Sequence, residues 1–152
     1  MLRERLNREL KTAMLAKDQR ATATLRLIVA ALKDRDIAAR GKGRTDGIDD
    51  DEILSMLQTM IKQRRESIDM YRKGGRAELA QREAEEIEII EGFLPEQMDD
   101  AAIEAAIREM IDSVGASGLK EMGQVMAALR TRYAGQMDFA KAGKVAKELL
   151  SA

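Results

Sequence analysis

Residues 49–75 read DDDEILSMLQTMIKQRRESIDMYRKGG, and this stretch decides the class of fold. Ile53, Leu57, Met60, Ile61, Arg64, Ile68 and Tyr71 recur at three- and four-residue steps. That spacing stacks side chains on one face of a helix with about 3.6 residues per turn. The run opens on Asp49, Asp50, Asp51 and Glu52. Clustered acids can hold a cation. An Asp at a helix N-cap, however, accepts from free backbone N–H groups, and first-turn acids oppose the positive end of the helix dipole, so capping is the stronger reading. Gly74-Gly75 ends the helix.

The same period extends upstream and downstream. Leu2, Leu6, Leu10 and Met14 mark a first helix ending near Lys17-Asp18, and Leu25, Ile28, Val29 and Leu32 carry a second from about residue 19 to 39. Between the second and third helices, residues 40–47 hold three glycines and no apolar side chain, which predicts a weakly ordered loop. A fourth helix runs from about residue 76 to 93 with Leu79, Ile87, Ile90 and Leu94 inward, and Pro95 stops it. Beyond Pro95 the pattern shortens. Asp99 or Asp100 caps a helix through Ile103, Ile107, Met110, Ile111 and Val114. A sixth spans about residues 119–133, and Asp138 caps a last one through Phe139, Ala142, Val145, Ala146 and Leu149. The expected fold is all-α: a bundle of about four helices over residues 1–95, then a small three-helix subdomain over residues 96–152.

Composition agrees and narrows the function. Hydrophobic residues make up 45% of the chain and aromatics only 3%, so the core must come from aliphatic side chains and from the ten methionines. There is no cysteine and no histidine. Disulfides, thiolate nucleophiles and the commonest neutral-pH general base and metal ligand are therefore absent. Met1–Arg5 carries no apolar signal-peptide core, and no stretch approaches ~18 apolar residues, which predicts a cytoplasmic chain that crosses no membrane.

Charge is unevenly distributed. Residues 1–45 hold 12 Lys/Arg against 5 Asp/Glu, and residues 46–100 hold 7 against 16. A basic arm can meet phosphates, or it can pair with the acidic middle of its own chain. Glu83, Glu85, Glu86, Glu88 and Glu91 crowd the fourth helix. Consecutive acids point to different faces, so a solvated or internally paired surface is the better reading than a catalytic pair. Lys62, Arg64 and Arg65 form a basic cluster that can grip phosphate or pair with those acids. Toward the C-terminus, Lys120, Arg130, Arg132, Lys141, Lys144 and Lys147 punctuate short glycine-separated helices, a pattern compatible with docking on an RNA backbone. No catalytic residue, metal site or cofactor site assembles from the sequence.

Particular words of the sequence are familiar. Leu25-Arg26-Leu27-Ile28, the block from Ile61 to Ile68 with Tyr71, Gly75-Arg76 with Leu79-Ala80, and Phe93-Leu94-Pro95 with Gln97 resemble the YqeY-like (GatB/YqeY) family. Met122-Gly123-Gln124-Val125-Met126, then Ala134-Gly135 and Asp138, is similar to the tail domain of the B subunit of the glutamine-dependent aspartyl/glutamyl-tRNA amidotransferase. The resemblance implies a two-part helical fold whose tail contacts tRNA away from the chemistry. It makes Lys120, Gly123, Val125, Met126, Gly135, Lys141 and Lys144 the candidate tRNA-facing residues. Where that tail usually carries a basic residue after the glycine, this chain has Gly135-Gln136-Met137-Asp138. Carbon–nitrogen ligase activity with glutamine as amide donor belongs to the relative's catalytic cradle, which has no counterpart in these residues. The expectation is thus a tRNA-associated module without its own active site; the alternative is a module that binds a protein partner.

Overall fold

The computed structural model describes residues 1–151, which form seven α-helices and no strand. They are α1 (Leu2–Leu15), α2 (Gln19–Arg40), α3 (Asp50–Lys73), α4 (Ala77–Glu91), α5 (Asp100–Val114), α6 (Met122–Arg132) and α7 (Phe139–Ser151). The chain divides into two compact units, Met1–Leu94 and a second beginning at Pro95.

In unit 1, α3 packs most extensively on α4, α1 on α2, and α2 on α4. Short connections make each hairpin. Asp18 caps α2, its carboxylate accepting from Ala21 N–H at 3.1 Å. The acids that open α3 form a reciprocal cap: Glu52 N–H donates to Asp49 at 2.8 Å and Asp49 N–H to Glu52 at 3.3 Å. Gly75, at φ 72°, takes the left-handed turn into α4.

Leu6, Ile28, Ile53, Leu57 and Ile90 are completely enclosed, with Met56 beside them. Met14 differs from expectation and is 48% exposed, while Ala13 is buried. A strict four-residue step gains about 40° per step on a helix of 100° per residue, so two steps past Leu6 the side chain has rotated off the core. Leu94 packs partly buried against the core as expected, and Phe93 beside it is buried as well. Thr24 is enclosed on α2 with no hydrogen-bond partner for its hydroxyl.

The end of the loop expected to be weakly ordered is tied down. Arg3 reaches Asp36 at 2.7 Å and the Ile48 carbonyl at 2.9 Å, and Asp36 accepts from Ile48 N–H at 2.9 Å. Ile48 is buried, and Gly47 lies against this knot at φ 81°. A Cβ at Gly47 would fall 2.6 Å from the Asp36 Cγ. Burial pushes the Asp36 carboxyl up, but the Arg3 hydrogen bond, the Ile48 N–H and the Arg3 charge outweigh it and hold the group below the usual carboxylate range.

In unit 2, Asp99 caps α5 through Ala102 N–H at 2.8 Å, and Gly115 ends it in the left-handed conformation. A 3₁₀ turn at Leu119–Glu121 leads into α6. Asp138 caps α7, accepting from Ala140 and Lys141 N–H at 3.0 and 3.2 Å. Ile107, Val125, Leu129, Ala142 and Ala146 are fully enclosed, and so is Met137, which the helical period did not mark because it precedes the last helix. Gln97 donates to the Gly135 carbonyl at 2.6 Å and Met98 N–H to the Gln136 carbonyl at 2.8 Å, fastening the segment before α5 to the turn between α6 and α7.

Candidate nucleic-acid interface

Of the basic cluster on α3, Arg64 is enclosed and structural. The Arg64 side chain is 13% exposed; its Nε lies 2.9 Å from Glu86 and 3.9 Å from Glu83, and Nη1 donates to the Met60 carbonyl at 3.2 Å. Arg65 pairs with Glu91 at 3.2 Å. Lys62 is exposed and stands in no ion pair among the described residues. The acidic run of α4 is thereby drawn into unit 1, since Glu85 also pairs with Arg20 from the basic first third. Burial and the neighbouring Glu86 charge raise the Glu83 carboxyl above its ordinary value, with Arg64 partly opposing them.

The C-terminal candidates separate into two groups. Val125 is fully buried and Met126 is 7% exposed, so both pack inward and present no surface to a partner. Gly135 is buried at φ 74° with its carbonyl occupied by Gln97; it makes the turn. The second group faces outward. Lys120 is exposed on the 3₁₀ turn, Gly123 is exposed with open space above its Cα, and Lys144 is exposed on α7. Lys141 is also exposed, and its ammonium lies 2.8 Å from Asp100, a hydrogen bond that raises its pKa.

Lys141, Lys144 and Lys147 are spread over the outer face of α7, while Ala142, Val145, Ala146 and Leu149 turn inward to the core. Two arginines at the end of α6 flank aromatic rings, Arg130 at 5.7 Å from the Phe139 centroid and Arg132 at 5.5 Å from that of Tyr133. Arg132 also reaches Glu109 at 3.4 Å. The surface can therefore supply several ammonium and guanidinium groups to an anion. Among the described residues, no three carboxylates converge closely enough to hold a metal ion.

Residues 3–150 match the model of the family described as Yqey-like protein. The chain belongs to this family. Curated relatives are fungal proteins named "Altered inheritance of mitochondria protein 41, mitochondrial". The Lachancea thermotolerans protein is 32% identical over 108 residues, 70% of this chain and 56% of its own length. The Eremothecium gossypii protein is 32% identical over 124 residues, 82% of this chain and 62% of its own. The Saccharomyces cerevisiae protein (strain YJM789) is 27% identical over 111 residues, 72% and 58% respectively. This family member thus spans somewhat more than half the length of the relatives it matches. Those relatives are named for mitochondria, so the cytoplasmic expectation drawn from the sequence does not extend to them. No helix among the described residues is long and apolar enough to cross a membrane.

One surface feature had no place in the sequence reading. Leu27 and Ile37 on α2 are 50% and 53% exposed. They fall on the side of the helix opposite Leu25, Ile28, Leu32 and Ala39, and that placement was the available signal.

Proposed function

We propose that unit 2 docks on RNA through the outer face of α7 and the arginine-bearing end of α6, and that the chain acts as a non-catalytic accessory in tRNA-dependent amidation. The observation that carries this reading is the lysine face of α7, where Lys144 and Lys147 stand exposed and in no ion pair among the described residues. Lysines on one side of a short helix offer point charges to a phosphate backbone without demanding a particular base. The similarity of residues 122–138 to a tRNA-contacting tail supports the same partner. The reading fits wherever that RNA is found, the cytoplasm by the sequence expectation or a mitochondrion by the names of the relatives.

Phosphate-driven binding must weaken steeply with salt. A filter-binding titration with unfractionated tRNA at low and physiological ionic strength tests it. Binding that falls with salt, and falls about tenfold further in K144E/K147E, is the expected result. No retention of tRNA at low salt overturns the reading. Glutaminase or tRNA-dependent ATPase activity from the pure protein overturns its accessory character.

The second reading is a protein partner, and the outward face of α2 favours it. Of the α4 acids, Glu85, Glu86 and Glu91 are engaged by Arg20, Arg64 and Arg65.

A further inference from the structure

On α2, three residue columns run at seven-residue spacing along the outward side. Ala23, Ala30 and Ile37 form one, Arg26, Lys33 and Arg40 a second beside it, and Leu27 and Asp34 a third on the other flank. All eight residues are exposed. A heptad step returns to nearly the same azimuth, about 20° short of two full turns, so the first two columns are nearly straight over ~21 Å and the third over ~10 Å. The first column is apolar and flat, and Leu27 and Ile37 are half-exposed large aliphatics. The second is cationic, and none of Arg26, Lys33 or Arg40 is held in an ion pair among the described residues. Elsewhere in unit 1, Arg3, Arg20, Arg44, Arg64 and Arg65 are all paired. At the N-terminal end of the face a shallow concavity of about 430 Å³ is lined by Met14, Lys17, Thr22, Ala23 and Arg26.

We infer that this face of α2 is a docking surface for an amphipathic helix of a partner protein, one with an acidic flank beside its apolar ridge. Alanines let a second helix approach closely along the first column, and Leu27 and Ile37 supply the apolar contact. Acids repeating along the partner's flank meet Arg26, Lys33 and Arg40, and a basic residue answers Asp34. Charge decides among occupants. A second copy of this face would bring three cations and one acid against the same set, which is repulsive. A lipid surface would have to cover Asp34 in the middle of the face while gaining little from alanines. A helix with an apolar ridge and an acidic flank complements the alanine and the cationic columns together.

This inference deepens the protein-partner reading of unit 1 and is independent of RNA docking in unit 2. The test uses the whole chain and a designed helical peptide of about 20 residues, with a Leu/Ala ridge and a glutamate flank at heptad spacing. Its controls are a twin with lysine in place of glutamate and vesicles of neutral and anionic phospholipid. Binding of the acidic peptide should shift the methyl resonances of Leu27 and Ile37. Charge reversal in R26E/K33E should weaken it about tenfold and confer binding of the lysine twin. Both side chains are exposed, and an unchanged thermal transition will show that the variant still folds; L27K, with the charges intact, gives a second independent loss. Equal binding of both peptides, or no methyl shifts with either, overturns the inference. So does concentration-dependent self-association or vesicle binding through Leu27 and Ile37. Acidic-peptide binding that survives R26E/K33E and L27K also overturns the α2 assignment, while sparing a protein partner elsewhere on the chain.

Discussion

Unit 1 holds two partly enclosed ion pairs between helices, Arg64 with Glu86 at 13% and 16% side-chain exposure and Arg3 with Asp36 at 30% and 17%, beside surface pairs such as Arg65 with Glu91 and Arg76 with Glu78. In unit 2 every pair among the described residues is at the surface: Arg108 with Glu104, Arg132 with Glu109 and Lys141 with Asp100 all keep about half or more of each side chain in water. An enclosed pair is costly to break because the partner left behind has lost its hydration, whereas an exposed pair exchanges cheaply with solvent or with another anion. Arg3 and Arg64 therefore act as structure. The exposed cations of unit 2 remain available for binding, as does the α2 column of unit 1, whose three cations stand in no ion pair among the described residues.

Four changes test that contrast, taken from the largest expected effect to the smallest. Gly47→Ala forces a Cβ against the Asp36 carboxylate in a left-handed backbone conformation. It should cost about 2–4 kcal/mol of stability in chemical denaturation, since strain and the loss of the Arg3–Asp36–Ile48 knot act together. A cost near zero would mean that the knot does not hold unit 1. Arg64→Met leaves Glu86 and Glu83 without their cation and should cost about 1–3 kcal/mol, while Arg132→Met in unit 2 should stay within about 0.5 kcal/mol. Equal losses would erase the distinction between the units. Thr24→Val replaces an enclosed, unpartnered hydroxyl by a methyl of similar size and should raise stability by about 1 kcal/mol.

The smallest effect is graded in pH. In unit 1 the Arg44 hydrogen bond, together with the Asp49 N–H, lowers the Glu52 carboxyl to about 2, although burial opposes them, and Asp36 is lowered as well. Carboxyls lowered in the folded state add stability above their ordinary values and lose it as the pH falls through the folded ones. Lys141 in unit 2 is raised by its hydrogen bond to Asp100, so its contribution is present below the ordinary lysine value and fades as the pH climbs past it. Amide resonances of α3 should therefore report destabilisation on the acid side, toward pH ~2, and those of α7 on the alkaline side. The reverse order would break the comparison.

Much of the fold was legible before any coordinates. The caps Asp49, Asp99 and Asp138, the stops at Gly74-Gly75 and Gly115, and the inward stripes of α3, α5 and α7 are local features, and local chemistry decides them. The candidate interface was less legible. The resemblance gave Val125 the same standing as Lys144, and the basic cluster left Arg64 open to phosphate or to an acid, because sequence spacing does not say which side of a helix meets a neighbour. Met14 was misplaced for the related reason that a four-residue step drifts away from a fixed face.

By itself, then, the sequence determined an all-helical YqeY-family chain whose helices begin and end where capping and glycine chemistry put them. Only the tertiary structure decided which charges are already answered. Arg64 and Glu86 lie 22 residues apart in the chain and 2.9 Å apart in space. Whether a cation is structure or surface depends on such long-range pairing, and no local rule of spacing encodes it.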